Sequence, residues 1–259
     1  VLFISVSNKN NNIDQVSEIS KNKIKWIRSL QLKKNRETEG LFLVEGEKMV
    51  HEAMVYCKDK IQFIAHTASF ESENLVNFEH QLVSEKELEM ISSLKTPNKA
   101  LAVVQITKSR PSIENQLVLA LDDIQDPGNM GTILRIADWY GIQSIICSKN
   151  TVDCYNPKVV QASMGAIFRI QISYVDLTKW LKSCKSTIYG ALLEGENLYQ
   201  KEHLTSGVLL MGNEGKGISK ENCELINQAI SIPRYGQAES LNVSVATGII
   251  VSEFVRRQQ

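Results

Sequence analysis

The chain has 259 residues, 43% of them hydrophobic, and its 29 basic and 29 acidic residues give a formal net charge of zero. No global field therefore draws it to nucleic acid, and any such contact has to come from a local patch. Its five cysteines, an odd number without a CxxC pair, argue against a disulfide framework and a zinc site and fit a reducing cytoplasm, and no apolar run approaches the roughly 20 residues of a membrane span.

The N-terminus lacks the apolar region of a signal peptide, and Asn10-Asn11-Asn12 reads as a disordered leader. Residues 21–36 follow, with Lys21, Lys23, Lys25, Arg28, Lys33, Lys34 and Arg36 and no acidic residue. Ile24, Ile27, Leu30 and Gln31 suggest a helix with Trp26 alongside. This run is either a solvated face or a surface that contacts phosphates and gains affinity by counterion release. A βα series comes next. Leu41–Val44 is a strand, turned by Glu45-Gly46 into a helix carrying Met49, Val50, Ala53 and Met54. Ile61–Ala65 and Gln81–Val83 are strands, Ser84 and Glu87 form a capping box, and Ala100–Ile106 is a last strand. Alternating strands and helices predict a small α/β domain over residues 1–107. The polar stretch 108–116, with Pro111, reads as a linker.

A second α/β series occupies 117–259. Leu117–Leu121 is apolar throughout, as a strand covered on both faces must be. A turn at Asp126–Asn129 leads to a helix ending near Tyr140 and closed by Gly141. Ser144–Cys147, Ile170–Tyr174, Ile188–Leu193, Val208–Met211 and Ile230–Ile232 are further strands. Helices are expected at Pro157–Ala166, Leu177–Cys184, from a Ser219 cap to about Gln228, and from Ser240 to the end. The fold class is thus α/β, a mostly parallel sheet with helices on both sides.

Three clusters in this half could carry chemistry. The first is Asp126-Pro127-Gly128-Asn129-Met130-Gly131, with Arg135 one helical turn beyond, at the carboxyl end of a strand where open α/β sheets bind ligands. Its plainer alternative is a helix cap and a surface cation. The second is Gly212-Asn213-Glu214-Gly215-Lys216-Gly217. Its G-x-x-G-x-G spacing matches neither a dinucleotide fingerprint nor a P-loop, so it is a backbone turn for another kind of ligand or a ligand-free connection. The third runs from Ile232-Pro233 to Ser240-Leu241-Asn242, where Ser240 either serves a site or only caps a helix. Ser244 and Thr247, among small apolar residues, predict tight packing against another backbone. No Ser-His-Asp arrangement and no metal-ligand spacing is visible; the four histidines, 51, 66, 80 and 203, lie outside the clusters.

In this order and spacing the clusters resemble the three motifs of the SpoU/TrmH family of RNA ribose 2′-O-methyltransferases, in the SPOUT superfamily. The motifs here are Asn129-x-Gly131-x-x-x-Arg135, Leu210-Met211-Gly212-Asn213-Glu214-Gly215-x-Gly217, and Ile232-Pro233-x-x-Gly236-x-x-x-Ser240-Leu241-Asn242-Val243-Ser244-x-Ala246. The resemblance covers about 117–259. Less specifically, Leu43-Val44-Glu45-Gly46 and Ala100–Val104 resemble the L30e-like substrate-binding domain of ribosomal-RNA members.

The resemblance implies a deep trefoil knot in the C-terminal segment, a homodimer through the C-terminal domain, and S-adenosyl-L-methionine held by three loops. These carry Leu193; Gly212, Asn213 and Gly217; and Ile232, Pro233, Ser240, Leu241 and Asn242, with Ala246 beyond. It assigns Arg135 to the ribose 2′-hydroxyl and Asn129, Glu214, Ser240 and Asn242 to the catalytic pocket. A guanidinium normally keeps its proton up to about pH 12. Arg135 therefore either acts when a substrate phosphate and desolvation poise it, or orients ribose and phosphate. Expected RNA contacts are Lys25, Arg28, Lys33, Lys34, Arg36 and Arg135; no metal and no membrane are implied. Ribosomal RNA is favoured as substrate, guanosine in 23S RNA in particular. The alternatives are tRNA, or an RNA-binding protein of this fold without methyl transfer.

Overall fold

The structure, a computed structural model, describes residues 18–107, 116–201, 204 and 206–258. The Asn-rich leader, nearly all of the expected linker and His203 lie outside the described residues.

The N-terminal domain contains α1 (Lys21–Ser29), α2 (Lys33–Glu39), β1 (Leu41–Glu45), α3 (Glu47–Tyr56), β2 (Ile61–His66), β3 (His80–Leu82), α4 (Glu85–Ile91) and β4 (Ala100–Gln105). Its sheet runs β1-β4-β2-β3, antiparallel except for β2 with β3. Strand alternation separates two apolar faces. Leu43, Phe63, Leu101 and Val103 pack with Ile27 and Leu30 before α2 and with Leu88 of α4. Phe42, Val44, Ile64, Ala102 and Val104 face the opposite way, towards Met49, Val50 and Ala53 of α3. The expected capping box is present: Glu87 N donates to Ser84 Oγ at 3.2 Å and Ser84 N to the Glu87 carboxylate at 2.8 Å.

The basic run is not one helix. The chain breaks at Leu30–Leu32, because Leu30 is turned fully into the core and Leu32 is extended. Arg36 reaches back into the break, and its Nη1 donates to the carbonyls of Leu30 and Gln31 at 2.9 and 2.8 Å. Those carbonyls at the end of α1 would otherwise lack partners. The guanidinium is only 2% exposed and pairs with Asp153 at 2.6 Å. The expectation that Arg36 contacts RNA is therefore corrected: it is an internal strut. Lys25, Arg28, Lys33 and Lys34 are exposed.

The C-terminal domain contains β5 (Leu117–Leu121), α5 (Pro127–Trp139), β6 (Ser144–Ser148), α6 (Pro157–Ser163), β7 (Gln171–Val175), α7 (Leu177–Ser183), β8 (Ile188–Asn197), β9 (Gly207–Met211), α8 (Lys220–Cys223), β10 (Gln228–Ser231) and α9 (Val243–Gln258). The six strands are all parallel, in the order β10-β8-β9-β5-β6-β7. Val118, Ala120, Ile146 and Leu210 face Leu177 and Leu181 of α7. Leu119, Leu121, Ile145 and Met211 face the side covered by α5, α6 and α9. From the β10 edge the chain returns across the carboxyl ends of β8 and β9 to lay α9 against α5. That return is consistent with the knotted SPOUT path. The expected helix after Ser219 shrinks to the four residues of α8, and Ser219 does not cap it: its N–H and hydroxyl donate to Asp122 at 2.9 and 2.7 Å.

One apolar core runs through both domains. The rings of Phe42 and Tyr155 meet across the boundary at 4.7 Å. Arg169 joins Glu52 of α3 to Asp138 of α5 at 2.6 and 2.8 Å and lies over the Tyr56 ring. All five cysteines are free, and burial pushes the Cys154 thiol up to about 12.

The end of α9 is anchored by charge. Arg256 and Arg257 hydrogen-bond to Glu253, and Arg257 also donates to the carbonyls of Lys201 and Tyr199. The arginines, Arg256 foremost, lower the Glu253 carboxyl from an ordinary 4.5 to about 2. A depressed carboxyl stabilises the fold above its unfolded pKa and loses that contribution as pH falls through the folded value. Glu253→Gln is thus expected to be less stable than the parent at pH 7, with the gap closing between pH 4.5 and 2. Thermal melts across that range check this, and a gap that persists at pH 2 would contradict it.

Candidate active site

The site is assembled where β5, β9 and β10 end. After β5, Asp122 is buried and its Oδ2 accepts from Ser219 and from Asn222 Nδ2 at 2.9 Å, tying the β9–α8 connection to the end of β5. Asp123 adopts φ 60, a left-handed conformation that Asp tolerates better than most residues. Its carbonyl accepts from Asn213 Nδ2 at 2.7 Å. The side-chain oxygen of Asn213 receives Gly215 N and Lys216 N at 2.9 and 3.1 Å, and its backbone pairs with Gly217 in both directions. These bonds close the glycine-rich turn. A Cβ on Gly212 would stand 2.3 Å from the Gly217 carbonyl carbon, so a tight reversal here requires glycine.

The first cluster is helical from its second residue, where a turn was expected. Pro127 suits the first helical position, and Asp126 Oδ1 accepts from Asn129 N at 2.8 Å, so α5 starts before Asn129. A Cβ on Gly131 would meet Ala162 Cβ at 2.4 Å, and this close approach seats α5 on α6.

Asn129 is the junction of the three motifs. Its Nδ2 donates to Glu214 Oε1 at 2.6 Å. Its Oδ1 accepts from Asn242 Nδ2 at 2.8 Å and from Ser244 Oγ at 3.3 Å. Asn242 caps α9, its Oδ1 accepting from Ser244 N and Val245 N at 3.0 and 3.3 Å and from Ser244 Oγ at 2.6 Å. Residues 129, 214 and 242, distant in sequence, thus form one polar cluster.

Other expected site residues stand apart from it. Ser240 is exposed and does not cap α9; Asn242 takes that part because the helix begins at Val243. Arg135 is exposed and makes no ion pair among the described residues. It lies on the outer face of α5 and does not fold back on Asn129. Leu193 falls within β8, where the ladder with β10 jumps from Gly190 to Glu196 and leaves 191–195 extruded. Gly195 lets the β10 backbone pass, since a Cβ there would be 2.7 Å from the Ile230 carbonyl carbon. Leu193 is 76% exposed on this bulge and Leu241 is 47% exposed. Sequence reasoning missed Ser244, Asp122 and Asp123 as site builders. The spacing of Ser244, two residues into a helix after an Asn cap, was the available signal.

The polar set is two amides, one hydroxyl and one carboxylate, and Leu193 on the β8 bulge and Leu241 just before α9 are exposed apolar residues of the flanking segments. Such a set suits a cofactor with a cationic sulfonium and an apolar adenine edge, and it lacks a phosphate cradle.

A parallel α/β sheet with this cluster at its carboxyl ends, a C-terminal helix returning across them and a small α/β domain in front define a SPOUT-class protein. Residues 116–252 match the SpoU rRNA Methylase family and residues 21–102 the MRM3-like substrate binding domain. The 23S rRNA (guanosine(2553)-2′-O)-methyltransferase RlmP of Bacillus subtilis is 30% identical over 249 residues, 92% of this chain and 97% of that protein. A TrmH-family protein from Porphyromonas gingivalis superposes with a TM-score of 0.84 at 36% identity, covering 93% of this chain and 100% of that one. An AdoMet-bound rRNA methyltransferase from Sinorhizobium meliloti does so at 0.83 and 27% identity, covering 94% and 98%. The chain belongs to the SpoU rRNA methylase family.

Proposed function

We infer that this protein methylates a ribose 2′-hydroxyl of RNA, with S-adenosyl-L-methionine as methyl donor and a guanosine of 23S ribosomal RNA as substrate. The junction of Asn129 with Glu214, Asn242 and Ser244 carries this reading, because it places all three family motifs at one point. Leu193, the turn Gly212-Asn213 with Gly217, the segment Ile232-Pro233, and Ser240-Leu241-Asn242 with Ala246 would hold the cofactor. When bound, it supplies an electrophilic methyl group on sulfur. The chain's own contribution is orientation, which in well-aligned pairs gains on the order of 7–11 kcal/mol. Asn129 fixes the relative positions of the loops, and Arg135, free on α5, turns the ribose and its phosphate towards them.

Lys25, Arg28, Lys33 and Lys34 form the basic surface through which residues 1–107 hold RNA, and 117–259 perform the transfer. Dimerisation uses the groove of about 510 Å³ between α5 and α9, where Ile136, Tyr140, Val245, Gly248 and Ile249 leave apolar surface uncovered. No helix among the described residues is long and apolar enough to cross a membrane. With ribosomal RNA as its substrate, the protein works in the cytoplasm.

The test is calorimetric AdoMet binding followed by tritiated methyl transfer to ribosomal RNA and bulk tRNA from cells lacking the gene. Label in ribosomal RNA alone is expected. Label in tRNA alone would move the substrate class, and binding without transfer to either would remove the enzymatic reading.

A further inference from the structure

Trp139 is the last residue of α5 and is 84% exposed. Its indole N–H has no acceptor among the described residues. An indole offers one of the largest apolar surfaces of any side chain, and leaving it in water forgoes that contribution to folding. Nothing in the packing of α5 explains the choice: the helix is seated by Met130, Ile133, Leu134 and Ala137, which point inward.

Helical geometry supplies a context. Arg135 and Trp139 are four residues apart, so they are neighbours on one face with an axial separation of about 6 Å. Gly128 and Thr132 continue that face towards the Asn129 junction, and neither is bulky. From the end nearest the polar cluster, the outer face of α5 therefore presents in line an exposed Gly128, a half-buried Thr132, an exposed cation without an ion-pair partner among the described residues, and an exposed aromatic plane. Cation followed by bare aromatic is the chemistry that holds a single strand of nucleic acid: the cation takes the phosphodiester and the ring stacks on an unpaired base. A purely apolar partner would leave Arg135 unmatched.

We propose that Trp139 is a nucleobase-stacking residue that grips an unpaired base of the RNA substrate beside the ribose addressed by Arg135. The inference rests on the function proposed above and deepens it. It makes the substrate a flipped-out or single-stranded nucleotide, because a base within a continuous helix has no free face for the indole. The contact is tolerant of sequence, since every base has a π-face.

The test uses the full chain with Trp139→Ala and Trp139→Phe, and a short unstructured RNA oligonucleotide together with ribosomal RNA. Trp139→Ala is expected to raise the oligonucleotide Kd, read by anisotropy of labelled RNA, and the KM for ribosomal RNA by about 10- to 100-fold, while kcat and AdoMet affinity stay near the parent. Trp139→Phe should restore most of the affinity. Addition of the oligonucleotide should quench the parent's tryptophan emission more than that of Trp139→Phe, whose remaining Trp26, beside Lys25 and Arg28, and Trp180 set the background. Unaltered KM in Trp139→Ala with no quenching in the parent would overturn the proposal. So would a Trp139→Ala protein that loses self-association at full RNA affinity, which would assign the indole to a second copy of the chain. A parent that binds RNA with quenching yet transfers no methyl group would sink the enzymatic reading while leaving the stacking contact standing.

Discussion

Arg135→Ala is expected to lower kcat/KM for methyl transfer by about 10²–10³-fold, the loss typical when one preorganised group aimed at a reacting centre is removed. It should do so without touching the fold. The side chain is exposed and holds no ion-pair partner among the described residues, so its removal belongs with surface substitutions that change stability by about 0.5 kcal/mol or less. AdoMet affinity should also stand, because Arg135 is separate from the Asn129 junction. Thermal melting, calorimetry and single-turnover transfer on one preparation check all three parts. Full turnover in the variant would remove Arg135 from the mechanism. Loss of cofactor binding would mean that it builds the pocket and does not act on the ribose.

Arg36→Ala is expected to destabilise the protein by about 3–5 kcal/mol, the cost of stripping the partner from a buried ion pair. Three losses coincide: Asp153 keeps a charge without its counterion, and the carbonyls of Leu30 and Gln31 lose their donor. Urea unfolding followed by circular dichroism measures the change. Lys33→Ala, three residues away and exposed, is the internal comparison and should move stability by no more than about 0.5 kcal/mol. Equal, small effects from both would return Arg36 to the solvent-facing basic set.

The contrast between these two arginines marks where sequence reading works. Arg36 sits in a run of cations, and a charge run reads as a solvated face. Burial was invisible because its cause is Asp153, 117 residues away. Apolar periodicity, by contrast, is local. The continuous run Leu117–Leu121 reads directly as a strand covered on both faces, and the structure buries all five residues. The same holds for the Ser84–Glu87 capping box. The resemblance to the family's three motifs, rather than any local rule, made Asn129, Glu214 and Asn242 legible as one site, and it did not say that Asn129 bonds to both of the others. The sequence places the start of the last helix at Ser240, whereas the structure starts it at Val243 with Asn242 as cap. A displacement of two residues is the ordinary uncertainty at a helix end, and here Asn242 takes the cap with a side chain that serves two backbone N–H groups.

The apolar core that passes from the first domain into the second has a consequence for substrate choice. Domains joined by a small polar contact swing relative to one another by default. Here Phe42 on Tyr155, Arg36 on Asp153 and Arg169 on Glu52 lock the halves together. The span from the exposed lysines of the first helices to Arg135 is then a fixed length, and if RNA binds as proposed the protein would act as a ruler. On the function proposed above, an RNA would be accepted when its folded shape sets a phosphate-rich anchor and a presentable ribose that distance apart, so shape would discriminate before any base is read.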